Sequence, residues 1–104
     1  MQWVFLFFAG LFEVLWAVSL KYTEGFTRLY PSIVTVVGMA ASFLLLSHAL
    51  RTLPLGVAYG VWTGIGTVGT VLVGVLLLGE SMSLAQIFCV GCIVVGVVGL
   101  RALT

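Results

Sequence analysis

Four apolar runs, each near the length that crosses a bilayer, take up almost all of this 104-residue chain. The hydrocarbon core of a membrane is about 30 Å thick, and a helix rising about 1.5 Å per residue needs about 20 residues to span it. Charges and prolines bound the runs. The first covers residues 2–20 and stops at Lys21, and the second covers 30–50 and stops at Arg51. The third covers 55–78 and the fourth 84–100. In lipid every backbone polar group must be satisfied internally, which leaves helices or a closed barrel. Barrel strands alternate apolar and polar residues, and these runs do not. The sequence therefore predicts an all-α membrane protein with four transmembrane helices per chain, forming one domain over 1–104. The intervening segments are of the length that joins antiparallel neighbours in a bundle. Pro31 falls in a predicted first turn and Pro54 just before one, where a missing N–H costs little. The first run has no basic stretch ahead of it, holds Glu13 in its apolar centre and is followed by no A-x-A site. It is expected to be kept as a helix and not cleaved as a signal peptide.

Composition removes the soluble alternatives. Hydrophobic residues make up 62% and charged residues 7%, against about 45–50% and about 25% in ordinary soluble domains. So few charges cannot cover the surface of a soluble globule. Four basic against three acidic side chains, net charge +1, make no patch for a nucleic acid. No enzyme activity, metal or cofactor is expected. Cys89 and Cys92 stand i, i+3 in an apolar run with no further Cys or suitably placed His. They read as small packing residues beside Gly91, Gly96 and Gly99 rather than as a redox or metal pair.

Four helices put the N-terminus, the second loop and the C-terminus on one side, with Arg51 and Arg101. The first and third loops fall on the other side, with Lys21 and Arg28. Orientation normally follows an excess of Lys and Arg in cytoplasmic loops, and two against two is no excess. Either another feature orients the chain, or it inserts both ways. Copies of opposite orientation could then pair as an antiparallel, dual-topology homodimer. Such a pair reproduces the inverted symmetry that larger transporters build from two repeats around a midplane site.

Of the charged side chains only Glu13 stands near the middle of a run, where an ionisable group marks a functional site by default. No Lys or Arg lies at its depth, and His48 sits near the end of its own helix. Hydrocarbon disfavours an ionised carboxyl, so one without a partner can take up a proton or bind a cation. Leu6, Gly10, Trp16 and Ala17 share a helical face with Glu13. Tyr59 and Trp62 share a face on the third helix, and Met39, Ser42 and Phe43 on the second. Aromatic faces attract cations, and the hydroxyls of Ser42 and Tyr59 can orient a carboxylate or meet a ligand N–H. Trp3, Tyr22 and Tyr30 stand at run ends and read as an interfacial belt. Gly64 and Gly66 can serve either close packing or a bend in the third helix.

These residues resemble the small multidrug resistance family, four-helix proton-coupled cation exporters of the bacterial inner membrane. The resemblance extends over essentially the whole chain. It rests on Glu13-Val14 with Lys21-Tyr22-Thr23-Glu24-Gly25-Phe26-Thr27-Arg28-Leu29, and on Ala58-Tyr59-Gly60-Val61-Trp62-Thr63-Gly64-Ile65-Gly66, which looks like the family's A-Y-x-x-W-x-G-x-G core. Trp16 stands where quaternary-ammonium exporters carry Gly, and Met39 where they carry Tyr, so the chain looks like the guanidinium-exporter subtype. The resemblance implies an antiparallel homodimer exchanging guanidinium for protons at a shared pair of Glu13 carboxylates. It implies that Trp16 and Ser42 hold Glu13 by hydrogen bonds, and that Tyr59 and Trp62 line the pocket, with Gly10, Met39 and Phe43 as weaker lining. It also implies a bend at Gly64 and Gly66, and dimer contacts through the fourth helix, where Cys89 replaces a frequent Gly. Two other readings remain open at this point. One is an exporter of quaternary ammonium or other hydrophobic cations, and the other is a non-transporting membrane subunit of a larger complex.

Overall fold

The structure, a computed structural model, describes residues 2–103. Four α-helices follow one another: α1 (Gln2–Tyr22), α2 (Leu29–Ala49), α3 (Leu55–Leu77) and α4 (Leu84–Leu103). Each is long and apolar enough to cross a membrane. The bounds differ from the sequence expectation mainly at two C-termini, where α1 runs through Lys21 and α4 through Arg101. A cation in the last turn complements the helix dipole, and its long stem lets the charge reach the headgroups. The charge therefore marks the edge of the hydrocarbon, and the helix continues past it.

The ends are built by local chemistry. Pro54 caps α3 with an extended backbone, and its carbonyl accepts the Ala58 N–H at 3.0 Å. Ser83 and Gln86 form a capping box before α4. The Gln86 N–H donates to Ser83 Oγ at 3.2 Å and the Ser83 N–H to Gln86 Oε1 at 2.9 Å, which satisfies two otherwise free donors. Between α1 and α2, Glu24, Gly25 and Phe26 are all left-handed, with φ of 49°, 75° and 66°. The turn closes through Thr23, whose carbonyl accepts the N–H groups of Thr27 and Arg28 at 2.9 and 3.1 Å.

Helix α1 packs against both α2 and α3, whereas α4 packs on α3 alone. The core is a small cluster of Leu6, Ala9, Leu46, Ala49, Ala58, Val61 and Trp62, where α1, α2 and α3 meet. Small residues set the spacing: Gly10 lies under Ile65, Gly38 under Trp16 and Gly64 under Val97. Close backbone approach of this kind is what associates helices in lipid, where burial of apolar surface gives little drive. Large apolar side chains remain exposed along every helix, Phe88 at 73% and Leu76 at 73% among them. Helix α4 buries none of its residues in the protomer.

Two contacts sort the helix ends onto two sides. Lys21 Nζ donates to Glu80 Oε2 at 3.2 Å, joining the end of α1 to the α3–α4 loop. At the other side the Arg101 guanidinium lies 4.7 Å from the centre of the Trp3 ring. Both are exposed contacts of small energy, about 1 kcal/mol or less, but they confirm the up-and-down order of the four helices.

Candidate functional site

Glu13 sits half-buried on α1 with its carboxyl pressed against Gly66 of α3, so that a Cβ at position 66 would run into Glu13 Oε1. Among the described residues Oε1 is buried and accepts no hydrogen bond. The ion pairs among those residues are Lys21–Glu80 and Arg28–Glu24, both at helix ends or in loops. The mid-span carboxyl therefore has no basic partner among the described residues.

The predicted aromatic residues form one edge-to-face series that starts at Trp16, three residues after Glu13 on α1. Trp16 on α1 and Phe43 on α2 have ring centres 6.4 Å apart, Phe43 and Trp62 on α3 5.7 Å, and Trp62 and Tyr59 5.4 Å. Each pair is tilted by 65°, the arrangement that sets a ring's positive edge against a neighbour's negative face. Trp62 is buried, while Phe43 and Tyr59 remain half exposed. Met39 is half-buried one turn before Phe43 on the same helix.

Ser42 is fully buried and bonded differently from what the resemblance implies. Its hydroxyl donates to the Ala9 carbonyl at 2.7 Å, and Trp62 Nε1 donates to Ser42 Oγ at 2.9 Å and to the Ala9 carbonyl at 3.3 Å. A hydroxyl has one proton to give, and this one is committed to Ala9, so Ser42 ties Trp62 to the α1 backbone instead of holding Glu13. Trp16 Nε1 is buried and has no hydrogen-bond partner among the described residues.

The remaining predicted positions divide by the neighbour each meets. Gly10 is buried under Ile65 and closes the α1–α3 seam. Gly64 faces Val97 of α4, and Gly66 faces Glu13. Helix α3 runs as one α-helical segment through both, and the contacts give each glycine a packing role.

The sequence reading missed the other wall of the Glu13 site. A cleft of about 280 Å³ beside the carboxyl is lined by Glu13, Ala17, Gly66, Thr67, Thr70 and Val71. Thr63, Gly66, Thr67 and Thr70 share an α3 face by their i, i+3, i+4, i+7 spacing, a signal that was present in the sequence. A larger cleft, about 530 Å³, lies at the α3–α4 loop around Val75, Glu80, Ser81 and Gln86, with Val71 lining both.

Four short-looped helices of membrane-crossing length, with a carboxyl in the middle of the first, define a small multi-pass membrane protein. The sequence profile of the Small Multidrug Resistance protein family matches residues 1–93, and the chain belongs to that family. It is 57% identical over 101 residues to a protein of Yersinia pseudotuberculosis serotype I (strain IP32953), covering 97% of both chains. It is 57% identical over 104 residues to a protein of Citrobacter freundii, covering 100% of this chain and 99% of the other. A Salmonella typhimurium (strain LT2) protein is 56% identical over 101 residues, covering 97% of this chain and 96% of the other. All three relatives are named guanidinium exporter.

Proposed function

We propose that this chain exports guanidinium ion in exchange for protons, as an antiparallel homodimer in which two Glu13 carboxyls share one pocket. The observation that carries the reading is Glu13 itself, whose Oε1 is buried against Gly66 with no hydrogen-bond partner among the described residues. The high identity to three exporters of that name supports the substrate. Guanidinium is planar and presents its N–H donors in forks that match a carboxylate. Protons and the cation compete for the same oxygens, and that competition couples the two fluxes. The bulk of Trp16 favours a small flat ion. A quaternary ammonium ion has no N–H to donate and would rely on aromatic faces and open space. A second copy would supply partners for groups the protomer leaves wanting: Glu13 Oε1, Trp16 Nε1, and the exposed rings of Tyr59 and Phe43.

The test is uptake of radiolabelled guanidinium into liposomes that hold only this protein, driven by a pH gradient. Wild type is expected to accumulate label, and Glu13→Gln to stay folded and accumulate none. Uptake surviving in the Gln variant would move proton coupling to another group. A substrate panel in which a quaternary ammonium ion outcompetes guanidinium would favour the multidrug reading. No uptake of any cation would favour a non-transporting subunit.

A further inference from the structure

Among the described residues the buried side-chain atoms without a hydrogen-bond partner are Glu13 Oε1, Trp16 Nε1 and Thr63 Oγ1. Glu13 and Trp16 belong to the site described above, whereas the Thr63 hydroxyl has no part in it. Other helix threonines bond their own backbone, Thr35 to the Pro31 carbonyl and Thr67 to the Thr63 carbonyl, both at 2.8 Å. That is the usual outlet for a threonine in a helix, yet Thr63 makes no such bond to the Tyr59 carbonyl four residues back. A buried hydroxyl without a partner is costly in apolar surroundings, and in a native structure it calls for a reason.

The position of Thr63 supplies one. Trp62 Nε1 donates to the Ala9 carbonyl, Gly10 lies under Ile65, Gly66 under Glu13 and Gly69 under Val14. Helices α1 and α3 therefore run parallel, with residues 62–66 of α3 beside residues 9–13 of α1. Thr63 falls in this stretch, one turn before Gly66 on the same face. Cβ positions three residues apart on a helix lie about 5–6 Å from each other, and the Glu13 carboxyl fills the Cβ position of Gly66. The unpartnered hydroxyl and the unpartnered carboxyl oxygen thus share one neighbourhood, with no side chain at Gly66 to separate them. An ionised carboxylate only accepts hydrogen bonds, and a hydroxyl has one proton to give, so the two are complementary. Trp16 is the other unpartnered donor, but its Cβ packs on Gly38 and its ring meets Phe43, both on α2.

We propose that Thr63 is a positioning residue for the exchange: once the proton has left Glu13, the Thr63 hydroxyl donates to its carboxylate, through one water or after a change of side-chain rotamer. The bond fixes the carboxylate over Gly66 and leaves its remaining lone pairs in place for the guanidinium fork. The inference rests on the Glu13 reading above, and its variants are chosen to fail separately from it.

Thr63→Val keeps the side-chain shape and removes the hydroxyl, whereas Thr63→Ser keeps the hydroxyl and removes the methyl. In proteoliposomes under a fixed pH gradient, the guanidinium concentration for half-maximal uptake is expected to rise about tenfold in Thr63→Val, the scale of one hydrogen bond to a charged group. The maximal rate should change little, and Thr63→Ser should match wild type in both. Thr63→Ala also lacks the hydroxyl and is expected to repeat the rise if the Val variant fails to assemble. Unchanged half-saturation without the hydroxyl overturns the assignment. An equal loss in the Val and Ser variants also overturns it, and would give Thr63 a packing role. Infrared difference spectra against Glu13→Gln isolate the Glu13 carboxylate stretch at alkaline pH. That band is expected to move in Thr63→Val and to stay in Thr63→Ser, and a band that stays in both overturns the bond. Uptake surviving in Glu13→Gln would overturn the Glu13 reading and this one with it. Uptake lost there but unchanged in Thr63→Val would overturn the Thr63 assignment alone.

Discussion

At the residue scale the site depends on which side chains have spent their hydrogen bonds. Ser42 has committed its proton to Ala9 and its oxygen to Trp62, which makes it the knot that holds the aromatic series to α1. Ser42→Ala leaves Trp62 Nε1 with only the longer contact to the Ala9 carbonyl, 3.3 Å. The expected loss is about 1 kcal/mol of stability, the scale of interhelical hydrogen bonds in membranes, with weaker guanidinium binding. Thermal unfolding in detergent and a tryptophan-fluorescence titration check both, and an unchanged titration would separate Ser42 from the site. Gly66→Ala acts on Glu13 directly, because the new methyl occupies the place of Oε1. Guanidinium affinity should fall by more than stability does, and equal affinity would show that the carboxyl can leave Gly66 at no cost. Glu13 stands out in the sequence because a charge in the middle of a long apolar run is costly and no Lys or Arg lies at its depth. The spacing of Thr67 and Thr70 shows that they share a face but not that the face meets Glu13, and threonine hydroxyls in helices commonly bond their own backbone, as Thr35 does to Pro31 and Thr67 to Thr63, both at 2.8 Å. Which threonines face Glu13 is decided by the rotation of α3 against α1, and hydropathy does not encode it.

At the element scale the four helices were readable to within three residues at each end, because length in lipid is set by bilayer thickness. What the apolar runs could not show is that α1 is central and α4 peripheral. Every helix is apolar all round, so no amphipathic stripe reports which face is inside. Small residues carry that information instead. A Cβ at Gly64 would collide with Val97, whereas Cβ atoms at Gly91, Gly96 and Gly99 meet nothing within the protomer. Two kinds of glycine substitution should therefore behave oppositely. Gly64→Val is expected to push α4 off α3 and lower the protomer's thermal stability. Gly96→Leu/Gly99→Leu is expected to leave that stability in place while shifting the proposed dimer toward monomer in single-molecule or cross-linking measurements. A double variant that remains as dimeric as wild type would remove the outer face of α4 from the interface.

At the scale of the whole molecule, charge bears both on how the chain enters the membrane and on the proposed transport cycle. Arg51 and Arg101 stand on one side and Lys21 and Arg28 on the other, so insertion both ways is expected. Two or three lysines added at the C-terminus should lock one orientation and lower activity when that chain is expressed alone. Wild-type termini that all label from one side would refute dual insertion. The transport cycle carries the same charge arithmetic further. If two protons occupy the paired Glu13 carboxyls on one half of the cycle and one guanidinium on the other, each turnover moves two positive charges inward and one outward. The net inward charge couples the cycle to the membrane potential by about 2.3 kcal/mol per 100 mV, added to the pH gradient. Among the described residues the spans hold no other acidic or basic side chain at Glu13's depth to cancel that charge. A one-for-one exchange would carry no net charge and would be blind to voltage. The two schemes separate on a solid-supported membrane with guanidinium added at equal pH on both sides. The two-for-one cycle is expected to give a transient current whose sign follows the guanidinium gradient and which Glu13→Gln abolishes. Radiolabel uptake proceeding without current would exclude it and leave the exchange electroneutral.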